Sequence, residues 1–404
     1  MRRLDHATVT SQPDTRLRAG VGYSESADPV EAGQAAVRAA LDGLAGQPPA
    51  LLIVYASVSY DLIALLHAVR GVAGPTPLVG CTTSGQFHEG RLITPGIGIS
   101  VLALTAGPYR FGVASVTGVR DDPVGAGQRL ARAAREAAGP EPGPHAAVLL
   151  LTTGLAGHQQ ELLNGVHKVV GAPVPVVGGG AGDDRLLVRT CVFEGDRIYT
   201  DGGASAVWIA APEPLTVVAE HGWHDVSLPL LVTRSDGLVI QEIGGRPAAE
   251  VFREHFDDDV GHERPGLVRP APGYLSAYAF GLIEPDGGKL IRGAYIDTDG
   301  QLRSFTPLPP YAPVQIVACA PEDLLRVTED VVEQAVAGRD ATVLLAFSCV
   351  ARLDVLAEQG AVEAARIQAA AGDVTTFGFY TYGEFARTNR VAGYHNATLT
   401  AIAL

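Results

Sequence analysis

Cys349 and Arg352 stand three residues apart in "SCVARL", where an apolar stretch ends. A thiol attacks only as its thiolate, which requires a base beside it, and spacing alone identifies none near Cys349. An arginine just past a strand end can hold a carboxylate or phosphate with two parallel hydrogen bonds, or pair with Asp354 or Glu384 of its own chain. Further on, "FGFYTYGEF" (377–385) alternates so that Tyr380 and Tyr382 share one side, and it sets Glu384 directly after Gly383. There the carboxylate can take an amine or a hydroxyl; aromatic packing with a helix-capping glutamate is the competing account.

The same outline occurs in "VGCTTSGQF" (79–87), where Gly80 and Gly85 are spaced as Gly378 and Gly383 are. A third loop, "GGGAGDD" (178–184), carries Gly178, Gly179 and Gly180. Glycine permits positive φ and close approach of backbone to a ligand, although tight turns alone would also use it. With Cys81, Thr82 and Thr83 of the first loop, these groups and the C-terminal ones above form the candidate ligand-binding set. None of the three loops matches GxGxxG or a P-loop, so nucleotide binding is not indicated.

Three similar successions of elements would position the loops. "DPVEAGQAAVRAALDGLAG" from Asp28 and "DPVGAGQRLARAAREAAG" from Asp122 share Asp-Pro-Val-x-Ala-Gly-Gln, a capped helix opening with proline in its first turn. Glu31 is expected to complete a capping box. Each helix leads to an apolar strand, a second helix, a proline-flanked strand and a glycine loop. A third succession runs from "PEDLLRVTEDVVEQAVAG" through "ATVLLAFSCV" and one helix, "DVLAEQGAVEAARIQAAAG". The expected fold is therefore α/β: duplicated helix-strand-helix-strand units forming mixed sheets, with a strand-rich insert at roughly 215–315 between the second and third. If the strands are parallel, all three loops leave at their carboxyl ends and can line one pocket.

Composition narrows the partners. Thirty Lys and Arg against 44 Asp and Glu give a formal charge of −14, which opposes binding to phosphate backbones, so nucleic acid is not an expected partner. The N-terminus begins basic but develops no apolar run, and no stretch is long enough to cross a membrane, so a cytoplasmic protein is expected. Four scattered cysteines and eleven histidines lack CxxC or HExxH spacing. Asp257, Asp258 and Asp259 read as a solvated acidic loop rather than a metal site.

Taken in order, "LVGCTTSGQF", "PVVGGGAGDD", "EHGWHDV", "LLAFSCVAR" and "GFYTYGEF…HNATLTAIAL" resemble the FIST sensory domain, N-terminal and C-terminal parts together. The resemblance covers nearly the whole chain, with an N-terminal domain over 20–215, holding two units, and a C-terminal domain over 216–404. It implies an intracellular sensor of a small ligand such as an amino acid, with no required cofactor, signalling through a separate partner such as a histidine kinase or a cyclic-di-nucleotide enzyme. One branch of the family implies haem and nitric-oxide sensing; His221 and His395, each beside aromatic residues, are the axial candidates. A thiol-dependent enzyme using Cys349 or Cys81 is a further alternative.

Overall fold

Asp28 begins the first helix, Pro29–Asp42, its carboxylate accepting from the backbone N–H groups of Val30 and Glu31 at 2.9 and 2.8 Å. The coordinates are a computed structural model, describing residues 16–140, 143–255, 274–285, 287–387 and 393–404. Glu31 does not close a capping box; it accepts from the Ser26 hydroxyl at 2.9 Å, and Ser26 in turn accepts from the Asp28 N–H. Asp122 caps Pro123–Ala137 by accepting from the Gly125 N–H. The acidic run Asp257 to Asp259 lies outside the described residues.

The chain is mixed α/β. Three six-stranded sheets share one arrangement of strand directions. Each is built on a parallel pair: Leu51–Ala56 with Leu78–Thr82, His145–Thr152 with Val176–Gly180, and Val343–Cys349 with Thr375–Thr381. Beside the first strand of each pair lies an antiparallel closing strand, Ile99–Leu104, Ala204–Ala211 or Leu399–Ala403. Outside that comes a strand that precedes the helices in the chain, directly for Ala19–Ser24 and Arg110–Val116 and at a distance for Val217–Glu220.

The other edge is completed by exchange. The hairpin that follows Leu78–Thr82 pairs with the third sheet, that following Val176–Gly180 with the first, and that following Thr375–Thr381 with the second. Each hairpin brings a phenylalanine opposite a glycine: Phe87 faces Gly378, Phe193 faces Gly80, and Phe385 faces Gly178. A Cβ at Gly80, Gly178 or Gly378 would fall 1.9, 2.0 or 2.1 Å from the carbonyl oxygen of Val54, Leu150 or Ala346. These glycines therefore sit in mid-strand, where the backbones approach closely, and are not loop tips.

Alternation along the strands makes two faces. Inward residues such as Ile53, Leu149, Leu345 and Phe377 join in one core shared by all three sheets. Outward residues pack under helices, as Val54 and Leu66, Leu150 and Leu162, and Ala346 and Ile367 do. The expected single helix after Cys349 is broken into Val350–Leu356, a 3-10 turn and Gly360–Ala371, because Ala357 takes φ 50°. Between Val217–Glu220 and the helix Pro321–Val336 lies an eight-stranded sheet with its own core, including Phe252, Phe280 and Ile316.

Candidate ligand site

At the carboxyl ends of the parallel pairs the three loops are stitched into a ring. Gly182 and Asp184 donate backbone N–H groups to Thr82 and Thr83, each at 2.9 Å. Tyr382 donates to Gly180 at 2.9 Å, and Gly180 donates to Gly383 at 2.8 Å. Ser84 donates to Tyr380 at 3.1 Å, and Tyr380 to Gly85 at 2.9 Å. Each loop thus bonds to both others, and Thr82, Thr83, Gly180, Tyr382 and Gly383 are brought together.

Beneath this ring the inward face changes character. Lower in the core it carries Ile53, Leu149 and Leu345. At the strand ends the corresponding places are Ser57, Thr153 and Cys349, whose N–H groups donate to Gly98, Gly203 and Thr398 at 2.9, 3.0 and 3.0 Å. Small, hydrogen-bonding side chains replace bulky apolar ones. Thr153 also borders a cleft of about 210 Å³ whose rim includes Arg120, Arg189 and Asp201.

Glu384 lies at this end, fully buried. The Thr381 hydroxyl and the Thr398 N–H donate to its carboxyl oxygens, and the Cys349 thiol donates as well. Burial outweighs these donors and pushes the carboxyl up to about 8, so Glu384 is largely protonated at neutral pH. Burial, and next the nearby Glu384 carboxyl, push the Cys349 thiol well above its ordinary range. Burial does the same to Cys81, which faces the core beside Tyr55.

Arg352 does not reach this layer, contrary to its expected role. Its helix turns it to the outer side of the third sheet, where Nη2 and Nε donate to Glu363 at 2.6 and 3.1 Å. Nη2 also meets the Thr328 hydroxyl at 2.8 Å. Tyr380 points to the same place, its hydroxyl donating to the other Glu363 oxygen at 2.6 Å, so it parts company with Tyr382. Asp354, the anticipated partner of Arg352, is paired with Arg185 instead.

The remaining candidates have structural duties. The Thr82 hydroxyl donates to the Gly182 carbonyl at 2.6 Å and accepts from the Cys191 N–H. Tyr382 donates to Asp183 at 2.5 Å, a fully buried carboxylate that also accepts three backbone N–H groups from residues 187 to 189. Gly178 is held away from the ring by its mid-strand place, and Gly179 lies against the Thr381 methyl. His221 Nδ1 accepts from the Trp223 N–H, and His395 Nε2 lies 3.1 Å from the Ala386 carbonyl. Either histidine, ligating haem through that nitrogen, would give up this contact.

Asp183, Glu363 and Gln86 were not singled out by sequence. Only Gln86 had a signal, its place before Phe87 matching that of Glu384 before Phe385.

The FIST N domain matches residues 50–246 and the FIST C domain residues 248–387. The chain belongs to the FIST family. FIST domains are recognised as small-ligand sensory domains. Among relatives, the Mycobacterium bovis uncharacterized protein Mb0898c is 28% identical over 396 residues, covering 91% of this chain and 94% of that protein. The Mycobacterium tuberculosis uncharacterized proteins MT0656 and Rv0628c are each 29% identical over 242 residues, and the match spans 59% of each of their lengths. A crystal structure of cyanuric acid hydrolase from A. caulinodans aligns over 96% of this chain and 99% of its own, with TM-score 0.33 and 12% identity, a likeness at which neither fold nor activity transfers. No helix among the described residues is long and apolar enough to cross a membrane.

Proposed function

We propose that this chain is a non-catalytic, intracellular small-molecule sensor, binding an amino acid or related metabolite at the ringed strand ends and signalling through a separate protein. A histidine kinase or a cyclic-di-nucleotide enzyme would be a suitable partner. The observation that carries the reading is the convergence of three loops over a layer of small polar side chains, Ser57, Thr153 and Cys349 among them. The cleft with Arg120, Arg189 and Asp201 at its rim adjoins one member of that layer, Thr153. Three copies of one folding unit would account for this convergence, and the matching register of Gly80, Gly178 and Gly378 opposite Val54, Leu150 and Ala346 supports that origin.

A thiol enzyme is disfavoured because both inward thiols, Cys81 and Cys349, are pushed up, which leaves little thiolate. Thermal denaturation with a panel of amino acids and their derivatives tests the sensor reading, since a ligand bound by the folded state alone must raise the melting temperature. At least one stabiliser is expected, and its effect should fall in Glu384→Gln. A panel without any stabiliser overturns the reading.

A further inference from the structure

Ser100, Ser205 and Thr400 occupy one equivalent place in the three closing strands. Ser100 is registered with Tyr55, Ser205 with Leu151, and Thr400 with Phe347. Their neighbours fix their direction. Leu102, Val207 and Ile402, two residues on, belong to the shared central core, while Val101, Ala206 and Ala401 pack outward under helices. All three hydroxyl residues consequently point inward, one layer below Ser57, Thr153 and Cys349.

Each of the three is fully buried, and none of their hydroxyls has a hydrogen-bond partner among the described residues. The Tyr55 hydroxyl and the Gln86 carbonyl oxygen, also buried, are equally unpartnered. Buried polar atoms are nearly always satisfied, and leaving one bare costs free energy. Five such atoms belong to inward-facing residues near this end, three of them at matching positions, and an occupant that bonds to them would relieve that cost.

We propose that these groups form a subsite for the uncharged, amide-bearing part of a small ligand. The inference rests on the sensor reading and deepens it. Hydroxyls can donate or accept, whereas the Gln86 oxygen only accepts, its Nε2 already donating to the Gly98 carbonyl at 3.1 Å. The occupant must therefore offer a donor to Gln86, and an amide supplies that N–H together with a carbonyl oxygen that the hydroxyls can meet. It must also be uncharged, because Ser100, Ser205, Thr400, Tyr55 and Gln86 supply no counter-charge. The rings of Tyr55 and Phe379, with centroids 4.5 Å apart, pack on each other in the same layer and close its lower side with apolar surface.

Succinamide and succinate share a carbon skeleton and differ in charge, and they serve as the probes. Binding is measured by calorimetry, and position by soaking crystals at high millimolar concentration. Succinamide should bind within the hydroxyl ring, and the triple variant S100A/S205A/T400V should weaken it about tenfold or more. Without probe, that variant should melt no lower than the unmodified protein, since it removes only unpaired hydroxyls. If the triple variant fails to fold, Ser205→Ala alone carries the same comparison.

Binding of succinate or alanine in the ring with exclusion of succinamide would overturn the uncharged subsite while leaving the sensor reading intact. Succinamide absent from the ring, or bound equally by the variant, overturns it too. So does a variant that melts lower and binds neither probe, which would mean that the hydroxyls hold structural water. The metabolite panel then judges the sensor reading separately.

Discussion

Two carboxyl groups, Glu363 behind the third sheet and Glu384 on the strand that the third sheet's hairpin lends to the second, are both fully buried and serve opposite ends. Glu363, on the outer side, meets the Arg352 guanidinium, the Tyr380 hydroxyl at 2.6 Å and the Ser348 hydroxyl at 3.2 Å. Glu384, on the inner side, accepts from neutral donors among the described residues, Thr381, Thr398 and Cys349, with Arg352 acting on it as a charge and not as a donor. The first is an ion pair holding two helices to a sheet. The second is a carboxyl kept protonated beside a polar layer. Burial alone does not mark a binding site; the partner that is missing does.

The contrast can be broken most forcefully from the outer side. Arg352→Met leaves Glu363 buried without its cation and should destabilise the fold by about 3–5 kcal/mol in urea denaturation. Replacing both groups by methionine should recover much of that loss, because no lone charge remains. A single substitution without effect would refute the structural role given to this pair.

Gly378→Ala attacks the join between sheets, since its Cβ would meet the Ala346 carbonyl and the Phe87 ring. A loss of about 3 kcal/mol is expected from overpacking, read as a lowered melting temperature.

On the inner side the effect is a dependence on pH. Because the folded Glu384 carboxyl is raised to about 8, its contribution is complete below the unfolded value and is lost as pH climbs through 8. Glu384→Gln should flatten that decline between acid and mildly alkaline pH, measured by denaturant midpoints. Asp354, raised to about 6 by burial, keeps part of the slope. His88, lowered by burial to about 4, acts the other way, its contribution fading as pH falls. A variant whose pH profile matches the unmodified protein would contradict the neutral state of Glu384.

The smallest expected effect is that of Cys349→Ala. Losing the thiol donor should move the Glu384 titration upward by less than about one pH unit, followed by carboxyl infrared absorption. A downward movement would place the thiol elsewhere.

Capped helices were legible in the sequence because Asp-Pro pairs act locally, and Gly80, Gly178 and Gly378 stood out because close backbone approach demands glycine, although that approach is in mid-strand and not in the loops. What escaped was set by pairing across the chain. Arg352 finds Glu363 only once a helix break at Ala357 folds the next helix back over it. Nothing in "ISVLAL" says that Ser100 will face inward with no partner among the described residues. Likewise the shared Gly-Gln-Phe and Gly-Glu-Phe outlines were visible, but not that each phenylalanine serves a different sheet from the strand that leads into its loop.

The exchanged hairpins also govern how the protein can be made. As the chain leaves the ribosome, the second sheet keeps an open edge at Val176–Gly180 until Glu384–Arg387, far downstream, has been made. An unpaired strand of that kind invites aggregation, so the nascent chain should depend on chaperones over that interval and resist division into independently folding pieces.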